Sequence, residues 1–309
     1  MNHNTTMEAI DEVRLNFSED NLFILNILLG FIMFGVALGI KKTHFTDLVK
    51  DPKSPIIGVI SQFILLPFIT FLLVMILRPA PSLALGMMLV AACPGGNISN
   101  FISSFSRSNA ALSVGLTAIA TLGAVIMTPL NFSFYGSLYP DAASILQDIQ
   151  IDFLKMLKTV FILLIVPLIL GMLFAQRFPK TTAKMQPPIS VLSFSIFTFF
   201  VLIAFFKNYD LFLNWIHAVV FLVLIHNALG LMLGYFLPKV FKRPEKDCRA
   251  ISIETGIQNS GLALVLIFNF FDGLGGMTIV AAWWGIWHMI SGLTLAIFWK
   301  KRDGNHEVY

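Results

Sequence analysis

The chain has 309 residues, of which 57% are hydrophobic and 12% charged, with a mean hydropathy of +0.81. Soluble domains carry about 25% charged residues, so this composition excludes a soluble globular domain and describes a membrane protein. The net charge of +4 does not imply nucleic acid, and two cysteines, Cys93 and Cys248, imply neither a disulfide framework nor a metal site.

Residues 1–21 form a polar, acidic tail, with Glu8, Asp11, Glu12, Glu19 and Asp20 against Arg14. It lacks the basic and apolar regions of a cleavable signal peptide. Met7, Ile10, Val13 and Leu15 hint at a short surface helix. Asn4-Thr5-Thr6 and Asn16-Phe17-Ser18 match the glycosylation sequon. So does Asn97-Ile98-Ser99, which lies in an apolar run, and the match therefore carries little weight.

Nine apolar spans follow, at 22–40, 56–77, 83–106, 110–130, 153–175, 188–206, 213–236, 250–271 and 277–299. Each is near the ~20 residues that cross a bilayer. Residues 137–152 hold Asp141, Asp148 and Asp152 and no Lys or Arg, and read as a linker. It divides a first repeat, 22–136, from a second, 153–299; residues 300–309 are a short tail. Sixteen of the 21 Lys and Arg residues fall in one alternating set of loops, from Lys41 to Arg302. The other set holds five: Arg14, Arg78, Lys155, Lys158 and Lys207. The positive-inside bias then places the N-terminus outside and the C-terminus in the cytoplasm, in a plasma or inner membrane.

Two spans are interrupted. Cys93-Pro94-Gly95-Gly96-Asn97-Ile98-Ser99-Asn100 breaks the third, and Glu254-Thr255-Gly256-Ile257-Gln258-Asn259-Ser260-Gly261 breaks the eighth. Non-helical backbone at membrane depth is tolerated only where it is buried in protein or lines a wet cavity. One broken span in each half points to an inverted repeat and a secondary transporter. Gln62 precedes the first break and His226-Asn227 the second. Ser113, Thr117 and Thr121 follow the first, and His288, Ser291 and Thr294 the second. Gly273-Leu274-Gly275-Gly276 reads as an exposed turn.

Glu254 is the only acidic residue well inside a span, and intramembrane ionisable residues are functional by default. The plain alternative is an interfacial Glu paired with Arg249. Gln258 lies one helical turn on, and Ser113 and Thr117 line one helix face. With Ser99 and Asn100 they supply the oxygen ligands that hard cations prefer. The free amides of Asn97 and Ile98 at one break, and of Asn259 and Ser260 at the other, face the crossing. Helix N-termini attract anions, so a carboxylate or sulfonate is the expected cargo, with His288 as a further contact. His217, His226 and His288 fit no zinc spacing, and no nucleophilic triad, phosphate loop or dinucleotide fingerprint occurs. No enzymatic activity is expected.

At these residues the chain resembles the sodium/bile acid cotransporter family. Both signature stretches match, as do Gly58-Val-Ile-Ser-Gln62, Asn109-Ala-Ala-Leu-Ser113 through Thr117, and Trp287-His288 with Ser291-Gly292. The resemblance spans residues 25–299. It implies an all-α polytopic fold with nine transmembrane helices, a core domain holding both broken helices, and a panel at 22–40, 153–175 and 188–206. It also implies two sodium sites. One would use Ser99, Asn100, Ser113, Thr117 and Glu254. The other would use Gln62, Glu254 and Gln258, with carbonyls near Thr255 and Ile257. Met289 departs from the pattern, since relatives often place Asn there.

The expected function is sodium-coupled import of an organic anion, bile acid-like or a small carboxylate, by alternating access. Membrane lipid is the expected surround, and no nucleic acid partner is expected. The alternatives are a proton-coupled organic anion carrier that uses Glu254 with His226 or His288, and a non-transporting receptor. The hydroxyl and amide ligands favour a metal cation over a proton, and a receptor has no need of two broken helices.

Overall fold

The structure, a computed structural model, describes residues 10–15, 19–41, 46, 48–143, 145–146, 152–207 and 209–306. Both tail sequons, 4–6 and 16–18, lie outside the described residues. Among the described residues the chain is helical, with two isolated β-bridges and no strand.

Eleven helices carry the argument: α1 Glu19–Ala37, α2 Lys53–Leu77, α3 Pro81–Ala92, α4 Ile98–Phe105, α5 Ala110–Ser137, α6 Phe153–Arg177, α7 Pro179–Lys207, α8 Tyr209–Val240, α9 Glu245–Gly256, α10 Ser260–Phe270 and α11 Gly275–His306. Six are long and apolar enough to cross a membrane: α1, α2, α5, α6, the stretch Trp215–Val240 of α8, and Gly275–Asp303 of α11. The spans expected at 83–106 and 250–271 are each two shorter helices, α3 with α4 and α9 with α10. Helix α7 is as long as a span, but its first turns carry Lys180, Lys184 and Gln186. Length and apolarity alone thus single out six helices where nine spans were expected.

Helices α2 and α6 each contain a π-helical turn, Ser61–Leu65 and Phe161–Ile165, two residues before Pro67 and Pro167. Proline has no N–H for the carbonyl four residues back. The wider turn absorbs the mismatch: Leu66 N–H bonds to Ser61 O, five residues back. The carbonyl that Pro67 leaves without its helical donor belongs to Phe63. Asn131 Nδ2 of α5 reaches it at 2.8 Å. Gln62 lies within the first of these π turns and is buried.

The broken segments form the centre. Every residue of α3 from Ser82 to Ala92 is buried, as is every residue from Asp247 to Phe268 in α9 and α10. Helices α2, α5, α8 and α11 surround them. Helices α1, α6 and α7 pack on one another: a methyl at Gly171 of α6 would stand 2.5 Å from Ala37 Cβ and 2.7 Å from Phe34 O, and one at Gly35 would stand 2.8 Å from Ile189.

The two ends of the molecule differ. At one end, residues 10–15 lie across the helix termini. Asp11 Oδ1 accepts from Ser82 N at the start of α3 (2.8 Å), Gly275 N donates to Val13 O (2.8 Å), and Leu15 N donates to Gly273 O (3.0 Å). Residues 10–12 are helical, as expected, but Ile10 and Leu15 are buried, so the segment is a strap across the helix termini and not a surface helix. It covers the 273–276 turn, which was expected to be exposed; Leu274 is fully buried there. Tyr139 Oη donates to Pro79 O at the same end. At the other end, charged residues bind the helix termini together. Asp247 accepts from Ser54 (2.6 Å) and from Asn109 Nδ2 (2.8 Å), and Arg249 pairs with Asp303 (2.7 Å) and Glu245 (3.1 Å).

Candidate functional site

The two breaks cross as short extended segments. Gly96 N donates to Ile257 O (2.6 Å) and Asn259 N to Pro94 O (2.9 Å), forming an antiparallel bridge between Gly95 and Gln258. Pro94 ends α3 because it cannot continue the helical ladder. The glycines serve close approach. A methyl at Gly95 would lie 2.2 Å from Glu254 Oε1, and one at Gly96 would lie 2.8 Å from Gln258 O. Each break thereby satisfies backbone groups of the other, which a membrane interior requires.

Glu254 lies two residues before the end of α9 and is 3% exposed. It does not pair with Arg249. Ser99 Oγ of α4 donates to its Oε2 (2.6 Å), and Thr117 Oγ1 of α5 lies within bonding distance of its Oε1 (2.9 Å). Asn100 Oδ1 stands 3.0 Å from Ser113 Oγ and 3.1 Å from Thr117 Oγ1. All five residues expected at the first cation site therefore form one connected cluster on three helices. Among the described residues no Lys, Arg or His pairs with Glu254. A buried carboxylate with only hydroxyl partners carries uncompensated charge, which is costly away from water. One negative charge ringed by neutral oxygens suits a hard monovalent cation. Among the described residues no three His, Cys, Asp or Glu side chains gather as a transition-metal site would need.

The second expected set is only partly joined. Gln62 Nε2 donates to Gln258 Oε1 (2.8 Å) and Cys93 O (2.9 Å). Gln258 Nε2 donates to Thr255 O (2.6 Å) and to Gln62 Oε1 (3.2 Å). The Gln62, Thr255 and Gln258 oxygens therefore lie together. Among the described residues no hydrogen bond ties Glu254 to them, and Ile257 O is occupied by Gly96 N.

The expected anion contacts divide. The amides of Asn97 and Ile98 have no acceptor among the described residues, as expected. Those of Asn259 and Ser260 are taken, by Pro94 O and Gln258 O at 2.9 Å each, so the reading of them as free donors is corrected. Pairing across the crossing consumes them. The side chains differ too. Asn259 Oδ1 caps α10 through Leu262 N (3.0 Å), whereas Asn97 makes no cap and its Oδ1 is unpartnered. His288 is buried in α11 with Nδ1 unpartnered, and no hydrogen bond joins it to either break among the described residues. His226 is a packing residue. Thr70 Oγ1 donates to Leu66 O (2.7 Å), so at 2.6 Å it accepts from His226 Nε2–H, and the ring meets Trp284 edge-on.

Sequence reasoning passed over Asn227 as a support of the site. Its Nδ2 donates to Gly256 O (2.7 Å) and its Oδ1 accepts from Ser291 Oγ (2.6 Å), tying α8 and α11 to the second break. The signal was present, since a buried Asn in an apolar span needs partners.

This geometry agrees with the comparisons. The sodium bile acid symporter family matches residues 26–215. A sodium-dependent transporter of Bacillus subtilis, YocS, itself uncharacterized, is 33% identical over 294 residues, which are 93% of this chain and 88% of the relative. The probable sodium/metabolite cotransporter BASS2 of rice chloroplasts is 28% identical, over 92% of this chain and 65% of its own length. Rat sodium/bile acid cotransporter 5 is 29% identical, over 83% of this chain and 58% of its own. None of these relatives is described as an enzyme. A buried carboxylate among oxygen ligands, two crossing breaks and these matches agree: the chain is a multi-pass membrane protein and belongs to the sodium/bile acid symporter family of sodium-dependent transporters.

Proposed function

We propose that the protein is a sodium-coupled symporter that imports an organic anion, a bile acid-like molecule or a small carboxylate, by alternating access. The observation that carries this reading is Glu254. It is a buried carboxylate held by Ser99 and Thr117 hydroxyls beside the crossing of two broken helices. The first sodium is held by Ser99, Asn100, Ser113, Thr117 and Glu254. The second is held by Gln62, Gln258 and the Thr255 carbonyl, and it draws in Glu254 and Ile257 O by a small rearrangement. The anion meets the open amides of Asn97 and Ile98, aided by the sodium charges.

The architecture for this work has nine spans: seven unbroken helices in the group around the crossing and in the panel, α7 among them, and the two broken pairs. Helices α2–α5 and α8–α11 form the core, repeated in inverted order across the 137–152 linker, and α1, α6 and α7 form the panel. The strap end, which gathers residues 10–15, 79–82, 139 and 273–275, faces outward. The charged end, with Lys239, Arg243, Lys246 and Arg302, faces the cytoplasm, in keeping with the positive-inside rule.

Uptake into proteoliposomes tests the function. Radiolabelled cholate and pantoate are offered under an inward gradient of sodium, of lithium, or of protons alone. Uptake driven by sodium and not by protons is expected. Uptake driven equally by a proton gradient without sodium refutes sodium coupling.

A further inference from the structure

The side chain amides of both breaks converge on one atom of a helix outside the crossing. Asn97 Nδ2 and Asn259 Nδ2 each lie 3.9 Å from Met33 Sδ, within reach of a sulfur acceptor. Met33 is fully buried, and with Leu25 and Leu29 it lines the buried face of α1. A thioether is a weak acceptor. A carboxylate oxygen accepts the same N–H donors at about 2.8 Å and far more strongly. Two donors, one from each break, thus hold a poor acceptor where a better one would fit.

We propose that Met33 is a displaceable stand-in for the cargo, and that the anion is loaded only when its oxygens replace the Met33 sulfur on Asn97 and Asn259. This rests on the reading of the crossing as the anion site, and it adds the residue that controls entry and the kind of head group selected. A head with two acceptor oxygens satisfies both amides at once, whereas a head with a single acceptor leaves one amide bare. Displacement also has a mechanical consequence. Helix α1 touches the crossing through this side chain and touches α10 through the Asn269–Asn26 contact (3.3 Å), while its other faces pack closely on α6 and α7. Releasing the sulfur removes a tie between α1 and both breaks in the loaded state.

The test uses the full chain in nanodiscs, labelled with [13C-methyl]methionine, with cholate and pantoate as probes in saturating sodium. Met33→Leu identifies the Met33 methyl resonance and keeps the side-chain volume; Met33→Ala is the second variant should the first fold poorly. Binding of either probe should move the Met33 methyl. By calorimetry both variants should bind that probe on the order of fivefold more tightly than the wild type, since two weak hydrogen bonds no longer compete. That gain should shrink in an Asn97→Ala background, where only the Asn259 contact is left to compete. Probe binding that leaves the Met33 methyl unmoved and the affinity equal in all three proteins overturns the stand-in while leaving the anion site intact. If neither probe binds the wild type in sodium, the anion site itself falls, and the stand-in with it.

Discussion

The two breaks look alike in sequence and do different work. The second is closed on itself. Asn259 caps α10, its amide is spent on Pro94 O, and Ser260 N turns back to Gln258 O. The first is open. Asn97 caps nothing, and the amides of Asn97 and Ile98 have no acceptor among the described residues. Charge runs the opposite way. Glu254 precedes the second break, but it is held by hydroxyls from α4 and α5, which follow the first. A repeat of the same motif therefore gives complementary halves: one supplies the carboxylate and a rigid backbone, the other supplies hydroxyls and free donors. Neither half alone brings the buried carboxylate, its hydroxyl partners and the open amides together.

The largest expected effect comes from removing the charge that the second break lends to the first. Glu254→Gln retains the shape and one acceptor oxygen. A hydrogen bond or ligand contact to a charged group is worth about 1.5–3 kcal/mol, so sodium affinity should fall by about a hundredfold. Sodium-driven uptake should drop to background, while the detergent-solubilised protein still elutes as a single folded species. Uptake with wild-type sodium dependence would remove Glu254 from the coupling site.

The next effect separates the two glycines of the first break. A methyl at position 95 would strike the Glu254 carboxylate, a flexible side chain, while one at 96 would strike the Gln258 carbonyl, which is backbone. Overpacking costs about 1–3 kcal/mol in either case, but it should be expressed differently. Gly95→Ala should displace the carboxylate and abolish the rise in Tm that sodium confers. Gly96→Ala should lower Tm by prising the bridge apart, yet keep a sodium-dependent rise. Equal loss of the sodium response in both variants would contradict separate roles.

Much of this plan could be read from the sequence. Prolines, glycines and polar residues inside apolar runs locate both breaks, and residue type and spacing single out Ser99, Asn100, Ser113, Thr117 and Glu254, which the family resemblance groups as one cation site. What escaped was pairing. The chain order of residues does not say that Asn259 N reaches Pro94 O, so four amides looked equally free when only two are. Nor does an acidic tail announce that Asp11 lies over α3, or that Leu15 covers the 273–276 turn. Those contacts depend on which helix ends share a side of the molecule. A Met in an apolar helix is also mute in sequence, because most such residues only pack. Likewise nothing in the chain order ties the Asn131 amide to the Phe63 carbonyl that Pro67 deprives of a donor.

A smaller effect tests the asymmetry of the two asparagines. Asn259→Ala removes an N-cap and should cost about 1 kcal/mol of stability, lowering Tm by a few degrees. Asn97→Ala removes no cap and should leave Tm nearly unchanged while weakening cholate or pantoate binding. The comparison is sharpest as a ratio of Tm loss to affinity loss for each variant. Equal Tm losses in the two variants would mean that the first break is capped as firmly as the second.

The smallest expected effect concerns the strap that links the start of α3 to the turn after α10. Asp11 accepts from Ser82 N at the start of α3, while Val13 and Leu15 bind the turn between α10 and α11. Burial pushes the Asp11 carboxyl above its ordinary value of 3.8, against the lowering effects of the Ser82 hydrogen bonds and Arg14. A carboxyl whose folded value is raised binds its proton more tightly in the folded state. Its contribution to stability is therefore fully present below the ordinary value and is lost as pH rises through the raised one. The protonated carboxyl still offers a carbonyl oxygen to Ser82 N, so the cap survives at low pH. Asp11→Asn keeps that acceptor and carries no charge at any pH. The variant and the wild type should thus melt together at acid pH, with the variant pulling ahead by about a degree as pH approaches neutrality. Thermal unfolding of both proteins in matched buffers from acid to neutral pH reads this directly. A wild type that pulls ahead of the variant toward neutrality would mean that the strap is held by the ionised carboxylate on the α3 terminus, and a gap that stays constant would mean that burial does not shift the carboxyl at all. In the first case the tie between the two broken segments would be electrostatic and would weaken in acid, the reverse of the order that burial dictates.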